Sequence, residues 1–287
     1  KKLGVKAWEE NGFYYFETPA ELTGARIVLR EFSVITTEVA IMAAALSKGK
    51  TTIEIAAAEP QVQDLGKMLQ KMGAKIKGIG THTIEIEGVE KLAGTNYAVC
   101  PDLLEAGTFM IAFALTGGQG RITNFQPEHL SFFLERMRDV GVDFEVFDNE
   151  IEVNPSGDFH GTKIQVLPYP GFPTDLQPQI AVLLTQAQGK SLIHEPLYEN
   201  RFQHMQELRK MGADIEITDP HRALVFGKTE LKSTKVDASD IRAGSALILA
   251  GLAAHGDTIV DNIFHIERGY ENFDGKLRKL GAKIERI

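Results

Sequence analysis

The 287-residue sequence holds a single cysteine, Cys100, so neither an internal disulfide nor a cysteine zinc cluster can form, and a reducing compartment is expected. Its eight histidines show no His-x-x-x-His pair or other ligand spacing, which leaves a metal site unsupported. No apolar run approaches the roughly 20 residues of a bilayer span. The longest, counting glycine, is Ala246 to Ala254. No lysine- and arginine-rich run supplies the basic stripe of a nucleic-acid binder, and 39 acidic against 31 basic residues leave a net charge of −8. No secretory leader is read at the start. These absences predict a cytoplasmic, soluble protein without nucleic-acid or membrane partners, a monomer or weak oligomer. Any anion it binds must be met by local positive charge. What is present, 43% hydrophobic and 24% charged residues, excludes disorder, collagen and coiled coil, and the length favours two lobes.

A repeat organises the chain. A basic residue, an apolar residue and a glycine recur as Lys2-Leu3-Gly4, Lys71-Met72-Gly73, Arg138-Asp139-Val140-Gly141, Lys210-Met211-Gly212 and Lys279-Leu280-Gly281, with Asp139 inserted in the third copy. A second glycine keeps the same period of about 69 residues at Gly49, Gly120, Gly189 and Gly256. Each unit opens with an Ala/Leu-rich segment (Glu38–Ser47, Thr108–Leu115, Pro178–Gln186, Ser245–Ala254) that is apolar on most faces, as a buried helix is. The second glycine suits a left-handed cap on that helix. A short β-branched strand follows, such as Thr51-Thr52-Ile53 or Thr258-Ile259-Val260, then a polar loop and an amphipathic helix such as Gln203–Lys210. Strands such as Ala74–Lys77, Thr83–Glu87 and Tyr97–Cys100 complete the unit.

In circular order the unit is βαβαββ, and it cannot bury both of its helices alone. Several units must pack with the apolar helices inside and the sheets outside, an inside-out α/β barrel. Units start near Ser33, Asp102, Asp175 and Asp240. Residues 1–101 are then expected to be an incomplete N-terminal lobe, half a repeat plus one repeat. Residues 102–287 are expected to be a C-terminal lobe with repeats starting near 102, 174 and 239. The ragged ends fit a piece of a longer architecture. The alternative is circular closure, with the first strands completing the last unit.

Oxygen-bearing residues precede the apolar helices at Ser33, Asp102, Asp175, Ser239 and Asp240, where N-capping is the simplest role. Two of these places carry more. Tyr169-Pro170-Gly171-Phe172-Pro173-Thr174-Asp175 is a proline-braced approach that would hold the Asp175 carboxylate still. Ala238-Ser239-Asp240-Ile241-Arg242-Ala243 puts Arg242 in a first helical turn, where a cation opposes the helix dipole unless it serves an anion. The loops Glu199-Asn200-Arg201-Phe202 and His265-Ile266-Glu267-Arg268-Gly269-Tyr270 each place an arginine just before a helix, with pairing to a neighbouring glutamate as the bland reading. If the units converge at one end, Asp175 faces Arg201, Arg242 and Arg268. Such a carboxylate could orient a hydroxyl or take its proton as it attacks a multiply anionic co-substrate. Cys100 reads as structural, and Gly117-Gly118-Gln119-Gly120 lacks the Gly-Lys-Ser/Thr ending of a phosphate loop.

The stretches Tyr169 to Gln177, Glu199 to Phe202, Ala238 to Ala243 and His265 to Tyr270 resemble the UDP-N-acetylglucosamine 1-carboxyvinyltransferases, a family of enolpyruvyl transferases, and the likeness runs over nearly the whole chain. It implies two lobes of three βαβαββ repeats in a protein longer than this chain. The implied reaction transfers the enolpyruvyl group of phosphoenolpyruvate to the 3-hydroxyl of UDP-N-acetylglucosamine, the first committed step of peptidoglycan synthesis, without metal or organic cofactor. By resemblance Asp175 is the carboxylate at the sugar 3-hydroxyl. Arg242 and Arg268 match arginines around the phosphoenolpyruvate phosphate and carboxylate, and Arg201 matches a third nearby. Leu197 matches an apolar uridine-sugar contact, and Ser33 and Val34 match a segment touching the nucleotide diphosphate.

Beside that segment the sequence departs from the family. Glu31 stands where a lysine is usual and Ile35 where a glycine is usual, and both changes disfavour a diphosphate. The family's mobile loop, with its acid and a phosphate-binding arginine, corresponds to sequence upstream of residue 1, and Cys100 does not match its cysteine. Two rival readings stay open: a 3-phosphoshikimate 1-carboxyvinyltransferase-like enzyme, and a non-catalytic repeat domain that binds an anion or a partner.

Overall fold

The computed structural model describes residues 1–155 and 157–287, in two units, Lys1–Cys100 and Pro101–Ile287, each with its own apolar core. In the first, β1 (Lys6–Glu10) and β2 (Phe13–Glu17) form a hairpin closed by Asn11-Gly12. Both turn residues have positive φ, as a two-residue hairpin turn requires. One complete repeat follows: β3 (Arg26–Val28), α1 (Val34–Ala45), β4 (Lys50–Glu54), α2 (Pro60–Lys71), β5 (Lys75–Lys77) and β6 (Thr83–Glu87). The sheet order is β3-β4-β6-β5, parallel for the first pair and antiparallel thereafter. Alternation along the strands turns Ile53, Ile76, Ile84 and Ile86 inward, where α1 and α2 cover them.

The second unit contains α3 (Leu103–Thr116), β7 (Gly120–Thr123), α4 (Ser131–Val140), β8 (Phe144–Phe147), β9 (Glu150–Val153) and β10 (Lys163–Gln165). It continues through α5 (Gln177–Thr185), β11 (Gly189–His194), α6 (Gln203–Lys210), β12 (Asp214–Asp219), β13 (Arg222–Gly227) and β14 (Lys235–Asp237). It ends with α7 (Ile241–Ala253), β15 (Ile259–Asp261), α8 (Phe264–Glu267) and α9 (Phe273–Lys279). The strands make three sheets, β7-β9-β8, β10-β11-β13-β12 and β14-β15. Helices α3, α5 and α7 pack on one another, and each also lies on a sheet of its own repeat. The apolar helices are therefore inside and the sheets outside. All nine residues of α5 are buried, which explains a helix with no polar face.

The glycines of the recurring phrase all adopt positive φ, between +92° and +104°, at the ends of amphipathic helices and at the equivalent turn of the first copy. Three sequence expectations need correction. Gly49, Gly189 and Gly256 have positive φ, but they lie beyond helices whose C-caps are Leu46, Gln186 and Ala254, so they turn the chain toward the next strand rather than cap. Gly120 lacks positive φ because Gly117 has already capped α3. Tyr97–Cys100 is not a strand. The Tyr97 hydroxyl donates to Asp64 Oδ1 at 2.8 Å and the Cys100 N–H to Asp64 Oδ2 at 3.1 Å, so a side chain holds this extended segment.

Candidate active site

Ser33, Asp102 and Asp240 cap α1, α3 and α7 by accepting backbone N–H bonds of the first turn. Asp175 and Ser239 do not. Asp175 sits in a 3₁₀ turn, Thr174–Leu176, that leads into α5 and leaves its carboxylate free of capping. The approach is anchored on both sides. Phe172 is buried against the Phe133 ring, and Leu176 is buried where Gly107 of α3 comes so close that a Cβ would lie 2.5 Å from its Cδ1. The Tyr169–Pro170 peptide is cis.

Two arginines converge on that carboxylate. Arg201 Nη2 donates to Asp175 Oδ1 at 2.5 Å, and Arg242 Nε lies 3.4 Å from Oδ2. The Asp175 side chain keeps 34% of its surface in solvent and Arg242 only 14%, so the pair is reached from the Asp175 side. The Arg201 guanidinium lies over the Tyr198 ring, and Asn200 just before it takes positive φ to turn the loop. Arg242 lies over the Tyr270 ring, and its buried Nη1 has no hydrogen-bond partner among the described residues. Burial works against the Arg242 charge, but the Tyr270 hydroxyl, Asp175 and Asp102 outweigh it and raise its pKa.

The Tyr270 hydroxyl bonds Thr108 of α3 at 2.8 Å, and Ser245 of α7 and Gln179 of α5 at 3.2 Å. One phenol thus ties the N-terminal portions of the three central helices beneath Arg242. Helix N-termini gathered this way favour an anion. Arg268, two residues before Tyr270, is exposed and makes no ion pair among the described residues, so the structure does not bring it onto Asp175. Leu197 is 41% exposed, on the loop that carries Arg201. Ser33 and Val34 belong to the first unit, where the Ser33 hydroxyl is occupied by Thr36.

Sequence reasoning passed over Glu195, His204 and Tyr270. Glu195 is fully buried at the end of β11. Burial pushes its carboxyl up in pKa, against the bonds it accepts from Thr174 and Leu197 and the nearby Arg201 charge. His204, in the first turn of α6, is buried, and desolvation lowers it to about 4. An acidic residue directly after the short strand segment Ser191-Leu192-Ile193-His194 was the available signal for Glu195, and Tyr270 closes a stretch already singled out. Nothing local marks His204. A cavity of about 330 Å³ beside α3, lined by Asp102, Glu105, Phe113, Arg121 and Lys276 among others, includes none of the Asp175 cluster. Its Lys276 and Glu105 are bonded to each other. Among the described residues no three His, Cys, Asp or Glu side chains converge as metal ligands, and no helix is long and apolar enough to cross a membrane.

Comparison with known proteins bears on what this geometry serves. Residues 1–277 match the family described as EPSP synthase (3-phosphoshikimate 1-carboxyvinyltransferase). The chain belongs to that family. Along its whole length it is 46% identical to the UDP-N-acetylglucosamine 1-carboxyvinyltransferase of Koribacter versatilis, of which it covers 66%. It is 48% identical to the protein of that name from Halothermothrix orenii, of which it covers 68%. The chain thus spans about two thirds of the length of the curated relatives it matches. Among solved structures, the enolpyruvyl transferase NikO from Streptomyces tendae superposes with a TM-score of 0.90 at 27% identity, over 99% of this chain and 70% of that one. The EPSP synthase from Acinetobacter baumannii, at 21% identity and a TM-score of 0.76, shares the fold.

Proposed function

We propose that this chain carries the acceptor-activating part of a cytoplasmic enolpyruvyl transferase. The enzyme would move the enolpyruvyl group of phosphoenolpyruvate onto the 3-hydroxyl of UDP-N-acetylglucosamine, with release of phosphate, and so open peptidoglycan synthesis. The observation that carries this reading is the Asp175 carboxylate, released from capping and held between Arg201 and Arg242. A carboxylate so oriented can position the sugar hydroxyl and take its proton. Arg242 and Arg201 can exchange part of their contact with Asp175 for the phosphate and carboxylate of the donor, and the exposed Arg268 can close on the same anion. Leu197 offers an apolar face to the uridine-sugar part. Ser33 and Val34 would meet the diphosphate. The names of the relatives at 43–48% identity support this substrate pair.

A shikimate-3-phosphate acceptor is the second reading, favoured by Glu31 and Ile35 beside Ser33. Calorimetric titration of the chain with UDP-N-acetylglucosamine and with shikimate-3-phosphate, each with and without phosphoenolpyruvate, separates them. Binding of the UDP-sugar, tightened by phosphoenolpyruvate, is expected. Binding of shikimate-3-phosphate alone would replace the first reading with the second, and binding of neither would overturn both for this chain. Arg268→Ala should weaken phosphoenolpyruvate far more than the nucleotide sugar, and equal losses would make that arginine structural.

A further inference from the structure

The two groups that meet at the candidate site come from segments 26 residues apart, the turn at Asp175 and the loop at Arg201. One buried side chain holds both. Glu195 Oε2 accepts from the Thr174 hydroxyl at 2.6 Å, next to Asp175. Its Oε1 accepts from the Leu197 N–H at 3.1 Å, on the loop that leads to Arg201. The main chain of Glu195 is itself fixed. Its N–H donates to the His221 carbonyl, and its own carbonyl is bonded by His221 Nδ1, both at 2.8 Å. Glu195 is thereby seated on the β12–β13 turn with both carboxylate oxygens directed to the two sides of the ion pair. A buried carboxylate is costly to desolvate, and its hydrogen bonds are the compensation.

We propose that Glu195 is the positioning residue that sets Asp175 against Arg201, and so tunes the site for a ligand carrying both phosphate and carboxylate. The clause about the ligand rests on the enolpyruvyl reading above, whereas the positioning of the pair does not. Three substitutions probe it. Glu195→Gln keeps the shape but cannot accept from both Thr174 and the loop. Thr174→Val removes only the link to the Asp175 turn, and Thr174→Ser restores the hydroxyl.

Two measurements on the whole chain decide the matter. The first is calorimetric affinity for phosphoenolpyruvate in the presence of UDP-N-acetylglucosamine, with thermal melting as a control. Loss of a hydrogen bond to a charged group is worth roughly tenfold or more, so Glu195→Gln and Thr174→Val should each weaken binding by about that factor, with Thr174→Ser near the parent chain. Parent-like binding in Thr174→Val would overturn the proposal. The second needs no ligand: the Arg201 side-chain Nε–H resonance. Thr174→Val should shift it in the direction that Asp175→Asn does, and an unmoved resonance overturns positioning even if Glu195→Gln fails to fold. Should the parent chain bind neither ligand, the enolpyruvyl reading falls, while the resonance still decides the role of Glu195.

Discussion

Helices α1 and α5 have the same kind of sequence and opposite surroundings. Both are apolar nearly all round. In the second unit α5 touches α3 and α7 from neighbouring repeats as well as its own sheet, and none of its residues reaches solvent. In the first unit α1 has α2 and one sheet on one side, and Ile35, Val39, Met42 and Leu46 stand exposed along the other, Ile35 by 73%. A helix without a polar face records a need for neighbours on every side. Repeats in the second unit supply them, and the single complete repeat of the first does not.

The contrast can be tested, beginning with its largest consequence. Leu183→Ala in α5 should cost about 3 kcal/mol, because a buried leucine leaves a cavity that the packed helices cannot close, whereas Met42→Ala on the bare face of α1 should cost less than about 1 kcal/mol. Denaturant-dependent hydrogen exchange reads the two units separately, and equal costs would mean that α1 is as enclosed as α5.

Next in size is the acid limb of the second unit. The folded pKa of His204, about 4, lies below the ordinary 6.5, so between those values the unfolded chain binds more protons and stability rises with pH. The contribution is complete above about pH 6.5 and is lost as pH falls toward 4, roughly 3 kcal/mol in all. His204→Leu should therefore flatten the dependence of melting temperature on pH in this window, and an unchanged slope would show that the ring is hydrated.

The helix starts within the second unit should differ more finely. Asp240→Ala removes a cap with two N–H bonds and should cost about 1 kcal/mol. Asp175→Asn removes no cap, and its amide oxygen can still accept from Arg201, so it should destabilise less than Asp240→Ala while it lowers affinity for the UDP-sugar. Urea unfolding and calorimetry on the same two variants measure both quantities. If Asp175→Asn proved the more destabilising, its carboxylate would be a structural group.

Much of the local architecture is legible in the sequence. Gln203–Lys210 is a helix from its pattern alone, and the apolar segments are helices that begin a few residues earlier than their most apolar stretch, since first turns such as Leu103–Gly107 carry mixed residues. The closing glycines are not caps, and the sequence does not reveal it, because a glycine three or four residues past a helix looks the same in sequence as one that caps it. Asp175 and Asp240 are equally good caps on paper. The difference arises because the proline-braced turn inserts one 3₁₀ step before α5 and none before α7.

Sequence by itself determined the period, the alternation of buried and amphipathic helices, and the left-handed turns at Gly4, Gly73, Gly141, Gly212 and Gly281. These depend on residues close in the chain, where side-chain volume and allowed φ act directly. Tertiary structure alone decided that Asp175 meets Arg201 and Arg242, that Arg268 stays apart from them, and that Glu195 lies buried beneath the pair. Charges tens of residues apart share a site only when the packing of α3, α5 and α7 gathers their helix starts at one end, and that packing is settled by the fit of whole apolar faces rather than by any local signal.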